Sequence, residues 1–263
     1  MKFVSLCKRF FCTLMKRISL LFIGLIFSVV LFANASETIV DEYDELSNDF
    51  RMRFEVAADW KPVKNLTLNL AQEVRIKNNA SALDRLYTTL DISYKVYKYI
   101  KVGASYSFHA LYKGDNAWQY RHRGRLHVTG SYSVGDWGLS LRVMPEMTYT
   151  VKEINVLEEV NPAWIMRSRF KVDYSFIDKP VKPYLYVEMF NPLVNPAYGN
   201  AWLEKMRYAI GTEWSVDAHN KFDFYYLLEH DMGQDISAQL PTITRTQGNQ
   251  LNHIIGIKYK YIF

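Results

Sequence analysis

The chain has 263 residues, 49% of them hydrophobic and 15% aromatic, and its 32 lysines and arginines against 27 acidic residues give a formal net charge of +5. That excess is not a nucleic-acid signature, because Lys2, Lys8, Arg9, Lys16 and Arg17 account for all of it and lie together at the amino terminus. Both cysteines, Cys7 and Cys12, lie in the same stretch, so the rest of the chain carries no disulfide framework, thiol nucleophile or cysteine-ligated metal site.

Met15 to Ala35, MKRISLLFIGLIFSVVLFANA, has a basic start, an apolar run from Ile18 to Phe32 and a small-x-small end at Ala33-Asn34-Ala35. This is the layout of a secretory signal, with cleavage expected near Ala35. The apolar run is shorter than the ~20 residues of a spanning helix. The residues before Met15 are either a longer basic region or the product of an upstream start codon. Ser36 to Asp49 then carries Glu37, Asp41, Glu42, Asp44, Glu45 and Asp49 with no basic residue. Residues 36–48 are read as an acidic segment that plugs the lumen described below, forms a first strand, or remains a flexible periplasmic tail.

From Asp49 the pattern changes to strict alternation. Eleven runs follow: Asp49 to Trp60, Leu66 to Lys77, Arg85 to Val96, Ile100 to Tyr112, Gln119 to Ser133, Trp137 to Thr150, Ala163 to Phe176, Pro183 to Phe190, Leu203 to Ser215, Lys221 to Met232 and Asn252 to Phe263. Most exceed the ~9–11 residues that a tilted strand needs to cross a bilayer. Strands in hydrocarbon must close on themselves, since an open edge would strand its amides and carbonyls. The sequence therefore predicts an all-β, antiparallel transmembrane barrel spanning residues 49–263. Short connections (Lys61 to Asn65, Tyr97 to Tyr99, Val134 to Asp136, Ile177 to Lys182, Val216 to Asn220) alternate with mostly longer ones (Asn78 to Asp84, Lys113 to Trp118, Val151 to Pro162, Asn191 to Trp202, Gly233 to Leu251). Short turns belong to the periplasm and long loops to the exterior. Eleven strands would leave two parallel neighbours at the seam, whereas single-chain bacterial barrels normally have even numbers. About twelve strands are expected, with Glu37 to Ser47 as a poorly patterned ascending strand.

The last run, NHIIGIKYKYIF, places Ile255, Ile257, Tyr259, Tyr261 and Phe263 on one face and Asn252, Gly256, Lys258 and Lys260 on the other. Tyr259, Tyr261 and the terminal Phe263 resemble the assembly signal of bacterial outer-membrane barrels, which implies the general barrel-assembly machinery as a partner and the outer membrane as destination.

Elsewhere the two faces also differ. Phe50, Met52, Phe54, Val56 and Trp60 oppose Arg51, Arg53, Glu55 and Asp59, and Trp164, Met166, Phe170, Val172 and Tyr174 oppose Arg167, Arg169, Lys171 and Asp173. A charge facing lipid at the midplane costs about 2–4 kcal/mol, so the charged face is the lumen. Inward parity collects Arg121, Arg123, Arg125, Arg142, Arg167, Arg169 and Lys171 against Glu146, Glu188, Glu213 and Glu229. These residues either fill the barrel as an ion-paired interior or line a narrow anion-preferring channel. His230 and His253 have outward parity near the loop end and are read as cross-strand neighbours. A lipid-facing histidine that activates a serine would make an outer-leaflet hydrolase or acyltransferase, but no His-x-Ser pair accompanies them, and contacts with outer-membrane lipid or lipopolysaccharide are the simpler role. No histidine trio has metal-site spacing, and no cofactor motif is present.

Leu83 to His109, LDRLYTTLDISYKVYKYIKVGASYSFH, followed by Tyr120-Arg121-His122-Arg123, resembles the uncharacterised outer-membrane barrels found mainly in Bacteroidota and grouped as domain-of-unknown-function family 2490. The likeness runs from about Asp49 to the end and implies fold and location without an activity. The expected function is passive: a narrow pore, or a structural barrel with a charged lumen. A lipid-modifying enzyme and a protein that binds through its long loops are the alternatives.

Overall fold

The computed structural model describes residues 38–114 and 117–263. The expected secretory leader, the expected cleavage near Ala35 and both cysteines lie outside the described residues. Fourteen strands follow in order: β1 Thr38–Tyr43, β2 Ser47–Trp60, β3 Leu66–Lys77, β4 Ala82–Tyr97, β5 Ile100–Gly114, β6 Ala117–Val134, β7 Trp137–Thr150, β8 Ala163–Tyr174, β9 Val181–Pro192, β10 Lys205–Ser215, β11 Asn220–Asp231, β12 Gln234–Gln239, β13 Thr242–Gln247 and β14 Gln250–Ile262.

Eleven of them close into a barrel, each antiparallel to its neighbours except at the seam. There β14 and β2 run parallel over thirteen pairs, from Gln250↔Ser47 to Ile262↔Asp59. The expectation of twelve strands is thus corrected to eleven. Because β14 pairs directly with β2, no place remains in the wall for the segment before Ser47. Residues 44–46 belong to no strand, and β1 instead pairs parallel with β13, which forms a hairpin with β12 inside the long 232–249 connection. That three-stranded sheet stands at the loop end. Ile243 and Ile236 are its buried side chains, Arg245 pairs with Asp41 at 2.6 Å, and Gln234 exchanges hydrogen bonds of 3.0 Å with Asn200 of the β9–β10 loop.

The outside of the barrel is apolar. Leu70, Leu90, Ile92, Leu126, Val128, Leu141, Phe170, Leu185, Ile210 and Ile255 are all exposed, Ile210 by 64% and Leu126 by 63%. A continuous belt of this kind is far larger than water-facing surfaces tolerate, and it is the surface a strand-built membrane protein presents to lipid. Trp60, Trp137, Trp214 and Tyr120 flank the belt near strand ends, as interfacial aromatics do.

Two local devices hold the wall. At the loop end Asp49 accepts hydrogen bonds from the amides of Asn79 (2.8 Å) and Asn78 (3.3 Å), which pins the β3–β4 turn where Asn78, Asn79 and Ala80 all adopt positive φ. At the other end Asp217 caps the β10–β11 turn. Hydrogen bonds from the Asn220 side chain and the His219 and Asn220 amides hold its carboxyl below the usual carboxylate range.

Inside the wall, one row of directly paired residues reads Gly138, Asp173, Tyr184, Gly211, Tyr225, Gly256. Each large side chain lies across the neighbouring glycine: a Cβ on Gly211 would meet the Tyr184 ring at 2.7 Å, and one on Gly256 would enter the Tyr225 ring. The alternation lets two tyrosines lie flat against the wall and keeps the lumen from filling. Gly256→Val should therefore weaken the barrel markedly, whereas Gly124→Ala, where a Cβ meets open space, should not. The temperature at which the folded barrel loses its fast electrophoretic migration checks both.

Candidate functional site

The inward faces of the strands carry a chain of alternating charge. Arg53 of β2 reaches Glu229 of β11 at 3.4 Å, Glu229 accepts from Arg207 of β10 at 2.6 Å, and Arg207 lies 3.4 Å from Glu188 of β9. Glu188 accepts from Arg167 of β8 at 3.1 Å, Arg167 donates to Glu146 of β7 at 2.9 Å, and Glu146 is 3.1 Å from Arg123 of β6. The three glutamates are fully buried or nearly so, and each serves at least two cations. Glu188 serves four, since Arg169 approaches to 3.1 Å and Arg142 to 3.6 Å.

Aromatic rings back the guanidinium groups. Phe190 lies 4.6 Å from Arg167 and 4.5 Å from Arg207, Tyr186 lies 4.2 Å from Arg169, and Tyr87 lies 4.2 Å from Arg75. A planar cation over a ring face is attracted by the ring's quadrupole and gains most where water is scarce. Toward the turn end the pairs are more accessible: Lys171 with Glu213 at 2.7 Å, Lys182 with Asp173 at 2.7 Å, Lys260 with Asp59 at 3.1 Å, and Lys258 with Glu55. The last two cross the parallel seam.

What remains inside is a cavity of about 910 Å³ that runs from Asp84, Arg85 and Asp231 at the loop end to Lys61, Lys260 and Ile262 at the turn end. Seventeen lysines and arginines and eleven acidic residues line it. The lumen is thus net positive, although residues 36–263 carry equal numbers of each sign.

Nine of the eleven inward residues named from the sequence fall on this surface. Arg123, Arg125, Arg142, Glu146, Arg167, Arg169, Lys171, Glu213 and Glu229 line the cavity, and Glu188 is sealed behind its arginines. Arg121 donates to Gln119 at 3.4 Å near the loop end. Sequence parity did not show that Arg53 and Arg207 meet on Glu229, or that Arg75 meets Glu73 and Tyr87, because those contacts depend on strand tilt and register. His230 and His253 do not form a pair. His230 stands opposite Leu251, with Nε2 at 2.9 Å from Asn249 Oδ1, whereas the Tyr226 hydroxyl is 2.7 Å from Nδ1 of His253. Neither ring has a serine or threonine hydroxyl partner among the described residues. His122 makes the same kind of contact with Tyr106, also 2.7 Å, so His122 and His253 belong to a tyrosine-rich belt. At the carboxyl end the Tyr259 hydroxyl donates to Asn220 at 2.6 Å, Tyr261 packs edge-on to Phe263, and the Phe263 amide donates to Asp59 O across the seam at 2.9 Å.

A buried carboxylate that serves four guanidinium groups is expensive to neutralise. Glu188→Gln should lower stability by about 3–5 kcal/mol, the cost of leaving buried cations without their anion. Glu213→Gln, at a half-exposed pair, should change it by under about 1 kcal/mol. Urea unfolding of the detergent-solubilised barrel, followed by tryptophan fluorescence, separates the two.

No curated protein sequence matches the chain. Among solved structures it resembles a KdgM porin in complex with disordered oligogalacturonate, at 12% identity and a TM-score of 0.39, over 69% of this chain and 88% of that one. The family described as "Protein of unknown function (DUF2490)" matches residues 49–236, from the start of the barrel wall into β12, and the chain belongs to that family.

Proposed function

We propose that this protein is an outer-membrane barrel of passive role, a narrow pore whose lumen favours anions. The observation that supports it is the end-to-end cavity with its surplus of cationic lining. Like-charged rings in a confined passage concentrate the opposite ion and repel its counterpart. Eight strands fill their interior with side chains and sixteen leave an open channel, so eleven strands with tyrosines folded flat against glycines suit a small passage. Outer-membrane lipids contact the aromatic belt, the loop end faces the exterior, and the barrel-assembly machinery reads Tyr259, Tyr261 and Phe263.

Purified protein in planar bilayers should give small, steady conductance steps, and a salt gradient should yield a reversal potential of the sign for anion over cation passage. Electrically silent bilayers would leave a structural barrel instead. Deleting Phe263 should lower the amount of heat-modifiable barrel in the outer membrane while secretion across the inner membrane continues, which fractionation and immunoblotting can read.

A further inference from the structure

Gly211 and Gly256 have their notches filled by a neighbouring ring, whereas a glycine on the outer surface of the barrel does not. Gly130 of β6 is paired directly with Ile100 of β5 on one side and Leu141 of β7 on the other, and Leu141 is paired in turn with Phe170 of β8. Ile100, Leu141 and Phe170 are exposed members of the apolar belt. A Cβ on Gly130 would meet nothing within 4 Å, so this row has a gap between two large side chains. The gap is part of an open groove of about 370 Å³ that Tyr99, Tyr132 and Leu139 also line.

Neither backbone nor packing calls for the missing side chain. Gly130 is not among the residues with positive φ, and no neighbour occupies the space where its Cβ would stand. A glycine inside a strand weakens it, and it often marks a place where a ligand approaches the backbone closely. The groove opens on the surface that faces hydrocarbon, so what enters it from that side is an acyl chain. One end of the groove carries a different chemistry. Tyr99 and Tyr132 pack with ring centroids 5.5 Å apart, and Tyr97 stands 5.9 Å from Tyr99. Tyrosines gather at the level of lipid headgroups. In the same turn Nζ of Lys98 lies 5.1 Å from the centre of the Tyr99 ring, and no carboxylate is within ion-pair distance of it among the described residues. A free ammonium at the headgroup end of an apolar groove complements a phosphate whose chain lies in the groove.

We infer that the outer face of β5, β6 and β7 seats one anionic phospholipid of the turn-side leaflet, with an acyl chain over Gly130 and its phosphate at Lys98. The inference rests on the belt being lipid-facing, and it is independent of whether the lumen conducts. Native mass spectrometry of the whole barrel, titrated in detergent with phosphatidylglycerol, should show a first lipid retained saturably ahead of any others. Gly130→Leu should weaken that step about tenfold, the worth of roughly two buried methylenes. Gly130→Ala should weaken it less and keeps the test valid if the larger residue hinders folding. Gly124→Leu alters an equally open glycine of the same strand outside the groove, and should leave the affinity unchanged. Lys98→Gln should lower affinity for phosphatidylglycerol about fivefold while sparing diacylglycerol, which has the chains without the phosphate. No preferred lipid on the wild-type barrel, a Gly130→Leu affinity equal to that of Gly124→Leu, or a second copy of the chain held in place of lipid would overturn the site. Conductance from a barrel that retains no lipid would sink the site and leave the pore, whereas a retained lipid on an electrically silent barrel would do the reverse.

Discussion

The charged interior of this barrel depends on three buried glutamates. Glu146, Glu188 and Glu229 alternate with Arg167 and Arg207, and the chain they make crosses from β6 through β11 to β2. Without them the inward faces would set arginines beside arginines: Arg142 stands directly opposite Arg169, and Arg53 opposite Arg75. Like charges that close repel strongly in a partly dry interior; Glu188 lies between Arg142 and Arg169 and converts repulsion into attraction, while Arg53 is taken by Glu229 and Arg75 by Glu73. Because each glutamate is shared, fewer anions than cations are needed. The same economy that stabilises the wall leaves the lumen positive.

The lattice also explains how an odd barrel closes. A parallel seam has evenly spaced but slanted hydrogen bonds and is slightly less stable per residue than an antiparallel one. Here it is reinforced from the inside: Lys258 with Glu55 and Lys260 with Asp59 join β14 to β2 directly, and Arg53 with Glu229 spans across β14 to β11. Gly256 belongs to the same region, since only a residue without a side chain admits the Tyr225 ring between these pairs.

Much of this was legible in the sequence, and the limits have physical causes. Alternation locates the eleven wall strands to within a few residues, with β3 and β7 matching end to end, because lipid on one side and charge on the other impose a strict period of two. The preference for twelve strands came from the rule of even numbers rather than from any residue pattern, and Glu37 to Ser47 indeed lacks alternation. The hairpin of β12 and β13 escaped notice because its only inward apolar residues are Ile236, Ala238 and Ile243, set among serine, threonine and glutamine. Parity assigned Arg121, Arg125 and Glu188 to the interior, but it cannot say that Glu188 collects four arginines while Arg121 and Arg125 collect no carboxylate. That difference arises from register, which sets Arg169 and Arg207 directly opposite Glu188, together with tilt, which brings Arg167 and Arg142 to it as well.

Charge is therefore partitioned along the molecule as well as across it. Over residues 36–263 the acids and bases balance, yet the cavity keeps a cationic surplus, so a matching acidic surplus must lie elsewhere. Part of it is at the loop end, where β1 and the residues after it carry Asp41, Glu42, Asp44 and Glu45 beside Asp235 and Glu158, with Arg245 the lone basic residue of the three-stranded sheet. Burial, and next to it Asp44, Asp231 and Glu159, push the Asp235 carboxyl above its ordinary value, a sign of how closely these acids are packed. The segment before β2 thus brings its negative charge to the mouth of a positive lumen without entering the wall. An anion approaching from that end meets an acidic rim before a basic interior, and this ordering opposes entry at the surface while favouring residence once inside.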